Sequence, residues 1–196
     1  MIKFLGVFLA LIVSCNIALH LYSHQDWSEI LWHCNFAAIV LSMAIFFKNV
    51  ALVNAVLITA IIAQSIWIFD FILELFGLGL GRTAQLFTQS SALTFLISVS
   101  LHEILIPIAF FVTYAWGFEK KSLVYAQLIF ICLLLPITYV VTQPLANVNC
   151  MFFPCDLHYL KNYQLISSHP HYLTPYYMFQ QVVFWMLATS ISYGCC

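Results

Sequence analysis

Six long apolar segments constrain this chain more than any other feature of its sequence. They lie at about residues 4–22, 29–47, 51–74, 92–117, 122–142 and 176–193, and polar or turn-forming residues separate them. A helix needs about 20 mostly apolar residues to cross the hydrocarbon core of a bilayer. Only 7% of the residues are charged, whereas soluble domains carry about 25%. Lipid is therefore the expected solvent for most of the chain.

The predicted fold is an all-α polytopic membrane bundle of six transmembrane helices, one integral membrane domain over residues 1–196 with a long outer loop at 143–175. Basic residues near span ends set the orientation of such a bundle. Four lie on one side and two on the other: Lys3, Lys48, Lys120 and Lys121 against Arg82 and Lys161. This predicts two cytoplasmic termini and a multi-pass protein of the cell (inner) membrane. A net charge of −1 offers no basic surface to nucleic acid.

The first apolar segment contains a competing signal. Its Ile-Val-Ser-Cys sequence resembles a lipoprotein cleavage site at Cys15. A mature lipoprotein usually turns polar after that cysteine, but here the apolar run continues to Tyr22. We therefore expect the segment to stay in the protein as a helix.

Polar and ionisable side chains within the predicted spans gather in the outer half of the membrane. They are His33, Cys34, Asn35, Asp70, Glu74, His102 and Glu103. Trp67 shares a helix face with Asp70 and Glu74. Because such groups are expensive in lipid, they indicate an interior cavity or mutual pairing. The sequence predicts a polar pocket between spans 2, 3 and 4, covered by the outer loop with Asn147, Asn149, His169 and His171.

Each of these residues also has an ordinary structural interpretation. Asp70 and Glu74 can mark the water boundary of span 3, and His102 can bond to Ser98 or to a carbonyl. Cys34 can be a small apolar filler. His33 can pair with Glu29 at i, i+4 on the helix surface, and Asn35 can join helices through its amide.

Cysteine and histidine patterns in the outer loop suggest two further features. Cys150 and Cys155 could form a disulfide in an oxidising compartment. The His-Pro-His sequence places His169 and His171 on one side of an extended chain. Together with His102 and Asp70 they form an alternative zinc site, since zinc takes three or four protein ligands. The preferred expectation is that the protein has no cofactor.

Short motifs spread over roughly residues 30–180 resemble an uncharacterised group of small bacterial six-span integral membrane proteins. The motifs are Trp-x-Cys-Asn (Trp32, Cys34, Asn35), Trp-x-x-Asp (Trp67, Asp70), Ser-x-x-x-His with Leu-x-Pro (Ser98, His102, Leu105, Pro107) and Asn-x-Asn (Asn147, Asn149). After Asn149 the chain departs from the group, which has Trp and Gly there. More distantly, Cys34 and His102 resemble the nucleophile and intramembrane histidine of small transmembrane acyltransferases and lipid hydrolases.

Two classes of function follow from the predicted pocket. In the first, Cys34 is the nucleophile of a lipid acyltransferase or ester hydrolase, His102 is its base and Asp70 orients His102. The substrate-binding residues are then His33, Asn35, Trp67, Glu74, Glu103 and Asn149. In the second, the pocket binds a lipid headgroup, a quinone or an ion without catalysis, as part of a transporter or of a membrane complex. Both classes imply a membrane lipid environment, and a homo-oligomer is compatible with either.

Overall fold

A computed structural model describes residues 2–24, 27–78, Thr83, Phe87, 91–142, 148–150 and 175–195. These residues contain no β-strand, and six helices account for most of them. The helices are α1 (Ile2–His24), α2 (His33–Phe46), α3 (Val50–Leu75), α4 (Ala92–Trp116), α5 (Ser122–Val141) and α6 (Pro175–Cys195). Short 3₁₀ turns lie at Trp27–Leu31 and Val148–Cys150. The predicted all-α class is confirmed.

Four of the six helices, α1, α3, α4 and α5, are long and apolar enough to cross a membrane. Helix α2 has 14 residues and is about 21 Å long, less than the roughly 30 Å of a hydrocarbon core. The 3₁₀ turn Trp27–Leu31 extends the same apolar segment at its beginning. Helix α6 has 21 residues but is more polar, with Gln180 and Gln181 in its first two turns.

Helix α3 is the central element of the bundle, since it contacts α2, α4, α5 and α6. It begins after Asn49, whose side chain accepts a hydrogen bond from the backbone N–H of Leu52 and so caps the helix. Large apolar side chains of α3 and of neighbouring helices form the core around it. They include Leu41, Ile45, Leu57, Ile58, Leu101, Leu105 and Phe130, all of them fully buried.

Helices α1 and α2 pack closely because a glycine lies at their contact. A Cβ atom placed on Gly6 would lie 2.9 Å from Ile45 Cγ2 and 3.4 Å from the carbonyl oxygen of Ser42. Ile45 is fully buried, so its side chain has little room to move. Small residues at helix contacts in membranes allow backbones to approach in this way.

One end of the bundle carries the four lysines of the predicted cytoplasmic side. Lys3 Nζ lies 5.8 Å from the ring centroid of Phe46, which brings the beginning of α1 to the end of α2. Asn54, near the beginning of α3, donates to Thr113 and Gly117 and accepts from the N–H of Glu119. The α2–α3 and α4–α5 connections therefore lie together. We call this region the lysine end.

Helix α5 contains a stretch of π-helix at Ala126–Leu134. Pro136 follows it at the first turn of the regular segment Leu135–Val141. A proline lacks the N–H of a helical bond and crowds the carbonyl four residues earlier, and wider turns before Pro136 relieve this crowding. Phe130, in the π stretch, contacts the rings of His33 and Phe36 of α2.

Candidate functional site

A chain of hydrogen bonds joins three helices far from the lysine end. Asn16 of α1 donates through Nδ2 to Asn35 Oδ1 of α2 at 3.0 Å. Its own Oδ1 accepts from Ser98 Oγ of α4 at 2.8 Å. Asn16, Asn35 and Ser98 are all buried. Such bonds satisfy polar groups where lipid and apolar side chains cannot.

His20, one turn after Asn16 on α1, extends this chain. Its Nε2 lies 3.4 Å from Ser98 Oγ. The Ser98 hydroxyl hydrogen is directed to Asn16 Oδ1, and a hydroxyl has only one hydrogen to donate. His20 is therefore the donor in its contact with Ser98. The hydrogen bonds then run in one direction, from His20 through Ser98 to Asn16 and on to Asn35.

His102 is fixed on α4 by two contacts. Its Nδ1 lies 2.8 Å from the carbonyl oxygen of Ser98, one turn earlier. A carbonyl only accepts, so Nδ1 carries the hydrogen and Nε2 keeps its lone pair. Trp67 of α3 stacks on the imidazole, with ring centroids 3.9 Å apart and planes 12° from parallel. Phe71 in turn stacks on Trp67, with ring centroids 5.4 Å apart.

Cys34 lies in the first turn of α2, partly buried. Its neighbour Asn35 belongs to the hydrogen-bond chain described above. Its other neighbour, His33, packs against Phe130 at 5.6 Å between ring centroids. Asn35 therefore connects the first turn of α2, through Asn16 and Ser98, to the residue whose carbonyl binds His102.

Asn149 holds the beginning of α2 from a distant part of the chain. Its Oδ1 accepts from the His33 backbone N–H at 2.7 Å, and its Nδ2 donates to the Leu31 carbonyl at 2.7 Å and to Thr138 Oγ1 at 3.3 Å. Asn149 adopts a left-handed conformation with φ 55°, which asparagine tolerates better than most residues. No side chain of α2 caps its first turn, so Asn149 takes that role.

Asp70 is fully buried and is bound by Thr83 of the α3–α4 connection. Both the backbone N–H and the hydroxyl of Thr83 donate to Asp70 Oδ2, at 2.9 and 3.0 Å. The sequence-based prediction gives Asp70 the role of orienting His102. In the structure the Ser98 carbonyl fixes the His102 ring through Nδ1, and Asp70 ties a loop to α3.

The remaining predicted site residues are dispersed. Glu74 lies near the end of α3 and is partly exposed, and Glu103 is exposed on α4. His169, His171, Asn147 and Cys155 lie outside the described residues, as does the side chain of Cys150, so the disulfide stays a prediction. Within the described ranges no three His, Cys, Asp or Glu residues are grouped to hold a metal ion. The alternative zinc site included two of the loop histidines and also stays a prediction.

No family model, curated protein or solved structure matches this chain. The proposed roles of these residues must therefore follow from their geometry and chemistry.

Three buried or partly buried polar residues in this part of the chain were not singled out from the sequence. Asn16 and His20 of the first span look like isolated polar residues in an apolar run, although their spacing of four places them on one helix face. Gln64 lies one turn before Trp67 on α3 and is 2% exposed. Its Oε1 has no hydrogen-bond partner, and neither does the buried Nδ1 of His33, within the described part of the chain. Buried polar atoms without partners commonly face a water or a ligand.

Proposed function

We propose that the chain crosses the inner membrane six times with both termini in the cytoplasm. Helices α1, α3, α4 and α5 have the length and apolarity for four of these crossings. The segment from Trp27 to Phe46 and the 21 residues of α6 provide the other two. The grouping of Lys3, the α2–α3 connection and the α4–α5 connection supports the orientation, because lysines favour the cytoplasmic side. The histidine-bearing cluster then lies in the outer half of the membrane.

We propose further that this cluster is the active site of a lipid acyltransferase or ester hydrolase. The supporting observations are that Cys34 lies in the first turn of α2 beside Asn35, and that Asn35 connects through Asn16 to Ser98, whose carbonyl fixes His102. The first turn of a helix favours negative charge. His102 Nε2 retains a lone pair with which to accept a proton. A thiol and a neutral imidazole so arranged are a nucleophile and its base.

The reaction proceeds in two steps. His102 Nε2 takes the Cys34 thiol proton as sulfur attacks an ester carbonyl of a membrane lipid. The C–S bond forms, the C–O bond breaks, and the proton passes to the departing alcohol. Water or a second alcohol then attacks the thioester carbonyl and gives its proton to His102 Nε2. The new C–O bond forms, the C–S bond breaks, and His102 returns the proton to the Cys34 sulfur, which restores the thiol. His33, whose buried Nδ1 has no hydrogen-bond partner among the described residues, donates to the developing oxyanion.

The first experiment is detection of the acyl-enzyme. Purified protein in nanodiscs is incubated with a phospholipid that carries an alkyne-tagged acyl chain, and its intact mass is measured before and after hydroxylamine. We expect one acyl adduct on the wild type, removed by hydroxylamine. Cys34→Ser should lose the hydroxylamine-sensitive adduct. His102→Gln should slow its formation by about 100-fold or more, since a general base contributes at least that much.

Exposed cysteines provide matched controls for this experiment. Cys15 and Cys132 are exposed thiols on α1 and α5, and Cys15→Ser and Cys132→Ser should keep the adduct. An unchanged, hydroxylamine-sensitive adduct on Cys34→Ser would show that labelling is not at the proposed nucleophile. A wild type that forms no adduct and transfers no acyl chain would exclude the enzymatic proposal.

A non-enzymatic binding site is the second proposal, and the stack of Trp67 on His102 favours it. Flat aromatic surfaces near histidines suit a lipid headgroup or a quinone ring. Native mass spectrometry separates the two proposals. A lipid or quinone held without a covalent bond by both the wild type and Cys34→Ser, with no acyl transfer by either, supports binding alone.

A further inference from the structure

Glu103 occupies the lipid-facing side of α4, near the middle of a helix that can cross the membrane. The buried face of α4 contains Ser98, Leu101, Leu105, Ile108, Ala109 and Val112, and through this face α4 contacts α1, α2 and α3. On the opposite face of α4, exposed residues recur at spacings of three, four and seven. They are Leu96, Glu103, Pro107, Phe110 and Tyr114.

A second polar group lies at the same point on α4. Pro107 has no N–H to donate to the carbonyl of Glu103, four residues earlier. Both the side chain and the backbone of Glu103 therefore present acceptor oxygens on a face otherwise formed by Leu96, Phe110 and Tyr114. No hydrogen bond or ion pair holds the Glu103 carboxyl within the described part of the chain. Intramembrane carboxyl groups of this kind are costly unless they are paired.

A basic side chain of another protein is the group that best satisfies these oxygens. The described residues of α1 to α6 include no Lys or Arg except Lys3, which lies at the lysine end. A second copy in the same orientation would bring another Glu103 carboxyl to the same depth, and two like charges repel. We propose that this face of α4 is a docking surface for a transmembrane helix of a partner protein that carries a Lys or Arg near its middle.

A peptide in vesicles tests this surface directly. The probe is a tryptophan-free, 21-residue Leu-Ala peptide with one central Lys and a dansyl group, compared with the same peptide with a central Leu. Each peptide is mixed with the protein in phosphatidylcholine vesicles. Association is measured as energy transfer to the dansyl group from the native tryptophans, of which the chain has five. We expect the Lys peptide to associate with the wild type and the Leu peptide to associate weakly.

Two substitutions at Glu103 distinguish a loss of peptide recognition from a loss of protein stability. Glu103→Gln and Glu103→Leu should each weaken association of the Lys peptide by about tenfold, the loss expected for one polar contact between membrane helices. Because Glu103 faces lipid, Glu103→Leu should leave the thermal stability of the isolated protein unchanged or raised. Glu74→Gln, near the end of α3, is the matched control and should not change association.

Several outcomes would overturn the proposal. Equal association of the two peptides with the wild type would show that the central Lys is not recognised. Unchanged association of the Lys peptide with Glu103→Leu would place its binding elsewhere. A wild-type homodimer in single-molecule photobleaching that dissociates on Glu103→Leu would assign the surface to a second copy of this chain instead.

Discussion

Replacement of Asn149 by alanine tests whether one side chain holds the beginning of α2. The substitution removes the acceptor of the His33 N–H and the donor to the Leu31 carbonyl, both in part-buried positions. A backbone group left without its partner costs about 1 kcal/mol or more. Alanine also tolerates the left-handed conformation at φ 55° less well than asparagine, which adds about 1 kcal/mol. We expect a total loss of about 3 kcal/mol in the free energy of unfolding.

Asn49 provides a matched control, because it is also an asparagine that caps a helix. Its side chain accepts from Leu52 N–H at 3.2 Å in an exposed position, so Asn49→Ala should cost about 1 kcal/mol. Asn149→Gly removes the same side chain as Asn149→Ala without the conformational strain. It should therefore be about 1 kcal/mol less destabilising than alanine at that position.

Unfolding in mixed detergent–SDS micelles, followed by circular dichroism, measures these differences. Hydrogen exchange at the His33 amide gives a local measurement, and exchange should be faster in Asn149→Ala than in Asn49→Ala. A loss for Asn149→Ala no larger than that for Asn49→Ala, with unchanged exchange at His33, would refute the reasoning.

Two further substitutions test packing and loop attachment. Gly6→Ala should lower the free energy of unfolding by about 1–3 kcal/mol, because its methyl group would overlap Ile45. Gly194→Ala is the control and should be neutral in the same unfolding assay, since no atom lies within 4 Å of the new carbon. Equal effects of the two substitutions would contradict a close α1–α2 contact. Thr83→Val should cost about 1–3 kcal/mol, because it removes the hydroxyl that donates to buried Asp70, and Thr83→Ser should restore stability. A Thr83→Val variant as stable as the wild type would show that the hydroxyl is not needed.

Hydropathy located five of the six helices to within two residues of their observed bounds. An apolar run in the sequence ends where the helix leaves the apolar surroundings, so hydropathy alone marks the bounds of those helices. Helix α2 is different, since the predicted span begins at residue 29 and the α-helix begins at His33. Its first turn is fixed by Asn149, 116 residues further along the chain, and no local pattern contains that information.

Composition and depth pointed to some of the polar residues that share these hydrogen bonds, but not to how they pair. Asn35 and Ser98 were recognisable as polar residues in apolar spans, yet their shared partner Asn16 depends on how α1 packs. The bond between Asp70 and Thr83 depends on the path of a connection between helices. The carbonyl that fixes His102 belongs to Ser98 of the same helix. Because the two residues are four apart in the sequence, this contact could be predicted from their spacing.

The π stretch of α5 determines how the two ends of that helix face the rest of the protein. Phe130 touches His33, and Thr138, beyond the stretch, reaches Asn149. Each residue added or removed within a helix turns everything after it by about 100°. Were Ala126–Leu134 to tighten by one residue, Thr138 would swing away from Asn149 while Phe130 stayed in place. A single change of helical winding in α5 would thus remove the Thr138 contact of Asn149, the side chain that holds the beginning of α2.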